Sequence, residues 1–193
     1  MIKMRAEEKI IKAFYDQKGA KLYFNQLKEL TQLSNSSLQN ALNKLLENKT
    51  LKSKKTKSNI FYEAKDSKLI ALKFAEISIN KSRDLSRGIR IPLNEFLSQL
   101  PGGVFTVVLF GSASRNEEQE GSDIDLLIVS EKKLNLEKNI KQAEIISNYP
   151  LNLFYCNINE FKEAKDHIII QARKTGFPIK GEQNFHEVVL HEN

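Results

Sequence analysis

The chain is poor in the residues that would staple it, anchor it or carry soft-ligand chemistry. It has one cysteine, Cys156, so no internal disulfide can form. Cys156 sits in the apolar run from Leu151 to Ile158, where a small buried hydrophobe is the plain reading and a catalytic thiol the second. No apolar run approaches the length of a membrane span, and the opening residues pass straight into a charged helical pattern without a signal-peptide core. These absences lead to the expectation of a cytoplasmic protein with no membrane partner. His167, His186 and His191 show no metal-ligand spacing with Cys156 or with one another and read as surface residues. No lysine follows Gly111 in Walker A spacing, and Gly-x-Gly-x-x-Gly does not occur, which removes P-loop and dinucleotide sites.

What is present is charge, unevenly placed. The 193 residues, 40% hydrophobic, fill one generous core or two small ones. Residues 1–63 carry 13 Lys/Arg against 6 Asp/Glu, a net +7, while residues 64–193 carry 17 against 18, a net −1. A small basic module joined to a near-neutral one points to a polyanion for the first and different work for the second.

The stretch 107–129 concentrates the chemistry. An apolar run (Val107, Val108, Leu109, Phe110) breaks at Gly111-Ser112, crosses a polar loop and re-enters an apolar run that carries Asp123 and Asp125. Read as strand, loop and strand, it projects both carboxylates to one face while Ile124 and Leu126 turn to the core. Like charges held that close call for a divalent cation with oxygen ligands. Gly111 lets a backbone N–H approach an anion, Ser112 adds a hydroxyl, Arg115 adds a cation, and residues 112–117 read as the first turn of a helix. A cation between carboxylates, facing a phosphate cradle, is the logic of phosphoryl and nucleotidyl transfer. The bland alternative is a surface turn with strand-edge acids. Glu117, Glu118 and Glu120 read as a solvated loop.

In chain order, residues 5–17 read as a first helix, 24–31 as a second, and a third starts at Ser34, with Leu38, Ala41, Leu42, Leu45 and Leu46 at helical spacing and an end at Asn48-Lys49. Residues 51–63 read as two short strands around a Lys/Ser-rich loop, the second strand being 59–63, with Phe61 and Tyr62 packing the hairpin. Three helices and a hairpin over residues 5–63 resemble the winged helix-turn-helix family. The resemblance implies base reading by Asn35, Ser36, Ser37, Gln39, Asn40 and Asn43 and phosphate contact by Lys52, Lys54, Lys55 and Lys57, with DNA as partner. Arginine is missing from the third helix, which lowers the case for strongly sequence-specific binding. Such modules also serve as protein-binding or dimerisation units.

A connecting helix from Asp66 to about Arg87 follows, its pattern read as Leu69, Leu72, Lys73, Ala75, Glu76 and Ile79, its apolar stripe to be covered by either domain or by a partner copy. Gly88 interrupts, and Pro92 suits the first turn of a short helix over 93–100. The second domain opens with a strand at Val104. After the Asp-x-Asp strand (123–129) come a helix over 136–148 patterned by Ile140, Ala143, Ile145 and Ile146, a strand over 151–158, a helix capped by Asn159 and running to about Lys174, an extended segment 177–181, and a helical turn over 182–190. Strands separated by helices make an α/β or α+β sheet. The domain boundaries read as 1–63, 64–100 and 101–193.

Phe110-Gly-Ser-Ala-Ser-Arg115, followed by Gly121-Ser-Asp-Ile-Asp125-Leu-Leu-Ile128, resembles the nucleotidyltransferase superfamily of the polymerase-β type, in particular its minimal members, over about residues 101–181. The resemblance implies a mixed sheet flanked by helices, two Mg²⁺ ions, a nucleoside triphosphate donor and transfer of a nucleoside monophosphate to a hydroxyl. It gives the triphosphate to Gly111 and Ser112, and metal ligation to Asp123 and Asp125. The family's third carboxylate falls on Asn152, an amide that can ligate metal but carries no charge and cannot accept the acceptor's proton. Glu160 is a distant substitute, with helix N-terminal acid as its plainer role. Two functions follow: a transferase acting on a protein, nucleic-acid or small-molecule acceptor, or a DNA-binding regulator or antitoxin-like partner of a toxin, whose transferase fold senses a ligand or docks a partner.

Overall fold

The structure is a computed structural model that describes residues 4–57, 59–65, 68–119 and 121–191, the last of them by its backbone alone. The chain divides into two compact units, the first reaching to Ile77 and resuming at His186, the second spanning Ser78–Phe185.

In the first unit, helical apolar spacing produces α1 (Ala6–Asp16), α2 (Phe24–Thr31) and α3 (Asn35–Glu47). Ser34 caps α3, its Oγ accepting from the Ser37 N–H at 3.2 Å. The buried faces, Ile10 and Phe14 of α1, Leu27 of α2 and Leu38 and Leu42 of α3, meet in one core. Strands β2 (Leu51–Lys55) and β3 (Ile60–Ala64) form the hairpin, closed where the Thr56 N–H donates to the Asn59 carbonyl at 2.8 Å. Tyr62 is buried in the core and Phe61 packs edge-on against Tyr23. A strand that the sequence hides, β1 (Leu22–Tyr23), pairs with β3 and completes an antiparallel sheet of order β1-β3-β2. Two residues are too few to show alternation.

Helix α4 spans Lys68–Arg83; its expected start at Asp66 lies outside the described residues. Its buried positions are Ile70, Ala71, Phe74, Ala75 and Ser78, whereas Leu69, Leu72 and Ile79 of the expected stripe are exposed. Both sets fit a helical period, and the bulk of Phe74 and Ile70 decides which one turns inward. Helix α9 (Glu182–His191) corrects the reading of surface histidines: His186 is 5% exposed, its ring 5.5 Å from those of both Tyr15 and Phe74. His167 is exposed, and the His191 side chain lies outside the described residues.

The second unit is built on a mixed sheet of order β6-β5-β4-β7, with β4 Val104–Phe110, β5 Ile124–Ser130, β6 Leu151–Cys156 and β7 Phe177–Lys180. β5 and β6 run parallel, while β4 pairs antiparallel with both β5 and β7. Helices α5 (Arg87–Ser98) and α6 (Glu137–Ile145) cover one face through Ile89, Leu93, Phe96 and Ala143 against Val107, Leu109, Leu126 and Ile128. Helices α7 (Ile158–Glu163) and α8 (His167–Thr175) pack against β5 and β4. The expected mixed sheet flanked by helices is what forms.

Three local expectations are corrected. Helix α5 starts at Arg87, so Gly88 lies within it and Pro92 in its interior. An interior proline costs ~3 kcal/mol or more, but burying Ile89, Leu93 and Phe96 contributes ~1.5–3 kcal/mol each, so packing prevails. In α6 the expected Ile145 and Ile146 are 82% and 51% exposed, and Leu136, Ile140 and Ala143 do the packing. The helix expected from Asn159 to Lys174 is two: Asn157 caps α7, Ala164 turns left-handed at φ 45°, and Asp166 caps α8. Each cap has the side-chain oxygen that its neighbour lacks, and Asp166 accepts from the Ile168 and Ile169 N–H groups.

Burial, helped by the charge of Lys18, pushes the His186 pKa down to about 3. The unfolded chain therefore binds an extra proton below the ordinary 6.5, so stability is full above that pH and is lost as pH falls towards 3. His186→Phe removes this loss, on the order of a few kcal/mol; urea midpoints of both proteins across that range measure it.

Candidate active site

The strand registers assemble the site. Phe110 of β4 lies opposite Asp125 of β5, which lies beside Asn152 of β6, so three strands bring Gly111, Asp125 and Asn152 together. Ile124, Leu126 and Ile128 are fully buried and hold this register, because a slip of one residue would turn Asp125 into the core. Asp123 is exposed and directly precedes β5.

Gly111 has φ +71°, and a Cβ there would collide with Asp125 Oδ2. The turn and the carboxylate are thus packed at backbone contact, which only glycine allows. The other carboxylate oxygen, Oδ1, accepts from Asn152 Nδ2 at 3.1 Å. Burial raises the Asp125 pKa, the bond from Asn152 opposes that shift, and the charge of Asp123 adds to it. The Gly111 carbonyl accepts from Ser114 Oγ at 2.8 Å and from Arg115 Nη1 at 3.0 Å, pinning the turn.

After Gly111 the chain forms a single 3-10 turn, Ala113–Arg115, and leaves through Asn116 at φ 55°. One turn has almost no macrodipole, so an anion here would be held by individual N–H groups and the Ser112 hydroxyl. Arg115 is exposed and engaged: Nε donates to Glu117 Oε2 at 2.6 Å. The reading of a solvated acidic loop is corrected at Glu118. Its Oε1 accepts from Ser86 Oγ at 2.7 Å, and its Oε2 is buried without a hydrogen-bond partner among the described residues. Glu120 lies outside the described residues.

Because alternate residues share a face, Asp125 and Leu127 point with Asn152, Phe154 and Cys156. A cavity of about 370 Å³ on that face is lined by Leu127, Phe154, Cys156, Ile168 and Ile169, with Glu160, Glu163 and Asp166 at its wall. It begins one residue pair along the strands from Asp125 and Asn152, roughly 7 Å. The sequence offers one signal for it, the step of two from Asn152 to Phe154, but its far wall depends on α7 and α8. The acids are occupied locally: Glu160 Oε2 accepts from the Asn157 N–H in the α7 cap, and Glu163 pairs with Lys165. Cys156 is buried and its thiol pushed up to about 12, mainly by burial, which fits a packing role.

Among the described residues no group of three or more His, Cys, Asp or Glu could hold a metal ion. Asp123 and Asp125 supply two carboxylates, and Asn152 turns its Nδ2, which cannot ligate a metal, onto Asp125 Oδ1, against its expected place as a ligand. Mg²⁺ binds through one or two carboxylates plus substrate phosphates, so this set fits one ion shared with a triphosphate but lacks the acid for a second.

Residues 92–175 match the family model of the nucleotidyltransferase domain. The matched residues contain the Gly111-Ser112 turn, Asp123, Asp125 and Asn152, and end with α8. The match supports nucleotidyl transfer as the general chemistry and implies a nucleoside triphosphate substrate. No curated protein and no solved structure matches the chain.

Outside the matched residues, Asn35, Ser36, Gln39, Asn40 and Asn43 are exposed on α3, and Ser37 is half-buried. Asn35, Gln39 and Asn43 stack at i, i+4 spacing, with Gln39 Nε2 donating to Asn43 Oδ1 at 3.0 Å. Lys52, Lys54, Lys55 and Lys57 are exposed on the hairpin, and Lys52 pairs with Glu63 at 3.5 Å.

Replacing Gly111 with Ala destabilises the protein by more than the ~1–2 kcal/mol of a left-handed non-glycine residue, since the clash with Asp125 adds to it. In an Asp125→Ala background the cost falls back to that value; urea denaturation of the two single variants and the double variant measures the difference.

Proposed function

We propose that the protein moves a nucleoside monophosphate from a nucleoside triphosphate to a hydroxyl acceptor, breaking the α–β phosphoanhydride bond and releasing pyrophosphate, and that its first unit is a winged helix carrying this chemistry to DNA. The observation that carries the transferase reading is the packing of the Gly111 turn directly on the Asp125 carboxylate within the matched domain. The Ser112 hydroxyl and the N–H groups of the turn hold the phosphates, and Arg115 secures the turn through the Gly111 carbonyl. Asp123 and Asp125 would hold Mg²⁺, which when bound would neutralise charge on the phosphates. The cavity beside Phe154 receives the acceptor on the carboxylate face. Because Asn152 cannot take the acceptor's proton, turnover is slow.

Incubation with α-labelled nucleoside triphosphates, Mg²⁺ and candidate acceptors gives label transfer that Asp123→Ala abolishes. Asn152→Asp, which supplies the family's third acid, raises the rate by about 10²-fold. The amide at Asn152 also favours a second reading, a transferase fold that binds nucleotide without turning it over and works as a regulator or as the partner of a toxin. Nucleotide binding with no transfer by either wild type or Asn152→Asp selects that reading.

The DNA reading is supported by the net +7 of residues 1–63, the exposed amides of α3 and the exposed hairpin lysines. Neutralising Lys54, Lys55 and Lys57 together weakens duplex binding and lowers the slope of log affinity against log salt by roughly 3. Mobility shifts at several salt concentrations measure it, and absence of any duplex binding at low salt sinks the DNA reading.

A further inference from the structure

We propose that the outer edge of β6 is an interface between two copies of this chain, paired antiparallel about a two-fold axis at Phe154 so that their two mixed sheets join. β6 is an end strand of the order β6-β5-β4-β7, and its unbroken register with β5, from Leu151 opposite Ile124 to Cys156 opposite Val129, occupies only its inner side.

One hydrogen bond fixes which backbone groups point outward. The Ile124 N–H donates to the Pro150 carbonyl at 2.9 Å. In a parallel ladder this phase sends the N–H and C=O of Asn152 and Phe154 to β5 and those of Leu151, Leu153 and Tyr155 outward. The Leu151 N–H agrees, donating away from β5 to Glu144 Oε1 at 3.0 Å. Beyond the other end of the strand the Asn157 N–H is spent on Glu160 Oε2 at 2.8 Å. Between these two closed positions, the outward N–H and C=O groups of Leu153 and Tyr155 have no partner among the described residues.

A row of such groups is a template for another strand, and folds guard against it. The opposite end strand is guarded: β7 has four residues, Pro178 among them, and its pairing with β4 is shifted. β6 has none of these devices. Its sequence, Leu-Asn-Leu-Phe-Tyr-Cys, holds no charge and no proline, and its register has no bulge. Ile145 and Ile146, which follow Glu144 at this edge, are 82% and 51% exposed.

The occupant is a second copy because the free groups are self-complementary. In an antiparallel pair centred on Phe154, Leu153 lies opposite the partner's Tyr155 and Tyr155 opposite the partner's Leu153, so every free group on both copies is hydrogen-bonded. A register shifted to either side sets one of these residues against Leu151 or Asn157, whose N–H is already engaged. A two-fold axis brings any charge beside it close to its own image, and β6 has none to repel. Residues directly opposite share a face, so the two cavities lined by Phe154 come to lie on one face of the joined sheet, on either side of the axis.

Sedimentation equilibrium of the full chain gives a mass that rises with concentration from 22.1 kDa towards twice that value. Tyr155→Pro removes an outward donor and none of the β5–β6 ladder, so association weakens about tenfold or more while circular dichroism shows the fold retained. A second pair of variants stands apart from that one. Phe154→Cys in a Cys156→Ser background puts the two thiol-bearing residues about 4.5 Å apart at Cα, within reach of a disulfide, and mild oxidation gives a crosslinked dimer. Asn152→Cys in the same background gives none, because the two copies of that position are offset by about 14 Å. A monomer at every concentration overturns the proposal, and so does a dimer that Phe154→Cys fails to crosslink or that Asn152→Cys crosslinks equally well.

Discussion

The register of the β4, β5 and β6 ladder is the constraint on which the second unit depends. Phe110, Asp125 and Asn152 lie side by side across it, and the buried Ile124, Leu126 and Ile128 hold β5 in place. The same alternation that buries those three side chains delivers Asp125 to the opposite face. Core packing and site geometry are therefore one interaction seen from two sides of a strand. A carboxylate in this position is uncomfortable, partly buried and close to Asp123, and it is kept there by hydrophobic area on the far side of the sheet.

Around that ladder, short polar devices fix the loops. Ser114 and Arg115 converge on the Gly111 carbonyl, and Glu118 reaches back to Ser86 at the start of α5. Asn157 and Asp166 split the segment after β6 into two capped helices, with Ala164 in the left-handed turn between them. That split gives the cavity beside Phe154 its far wall, Ile168 and Ile169 on α8 facing Leu127 on β5. Local capping, each bond worth about 1 kcal/mol, shapes a space that the hydrophobic pattern alone would have filled with a continuous helix.

The first unit follows a different economy. Its core is made by helices α1, α2 and α3, and four of the 13 Lys/Arg of residues 1–63, Lys52, Lys54, Lys55 and Lys57, are exposed on the hairpin. The short strand β1 ties the segment before α2 to the hairpin through Leu22 opposite Tyr62, and sets Tyr23 against Phe61 on the other face.

Much of this was legible in the chain. Apolar spacing located α1, α2 and α3 to within a residue or two, the Gly-Ser break between apolar runs located the turn that packs on Asp125, and the apolar run around Cys156 gave a buried thiol. These are local properties: spacing, turn residues and caps act within a few positions of one another. Tertiary structure decided the rest. It chose Ile70 and Phe74 over Leu69 and Leu72 as the inward face of α4, drew Pro92 into a helix, enclosed His186 between Tyr15 and Phe74, and paired two residues at Leu22 into a strand. In each case the sequence allowed more than one arrangement, and contacts with residues distant in the chain selected the one that buried more apolar surface. The sequence determined which groups are available to the site; only the packing of three strands determined that Gly111, Asp125 and Asn152 meet.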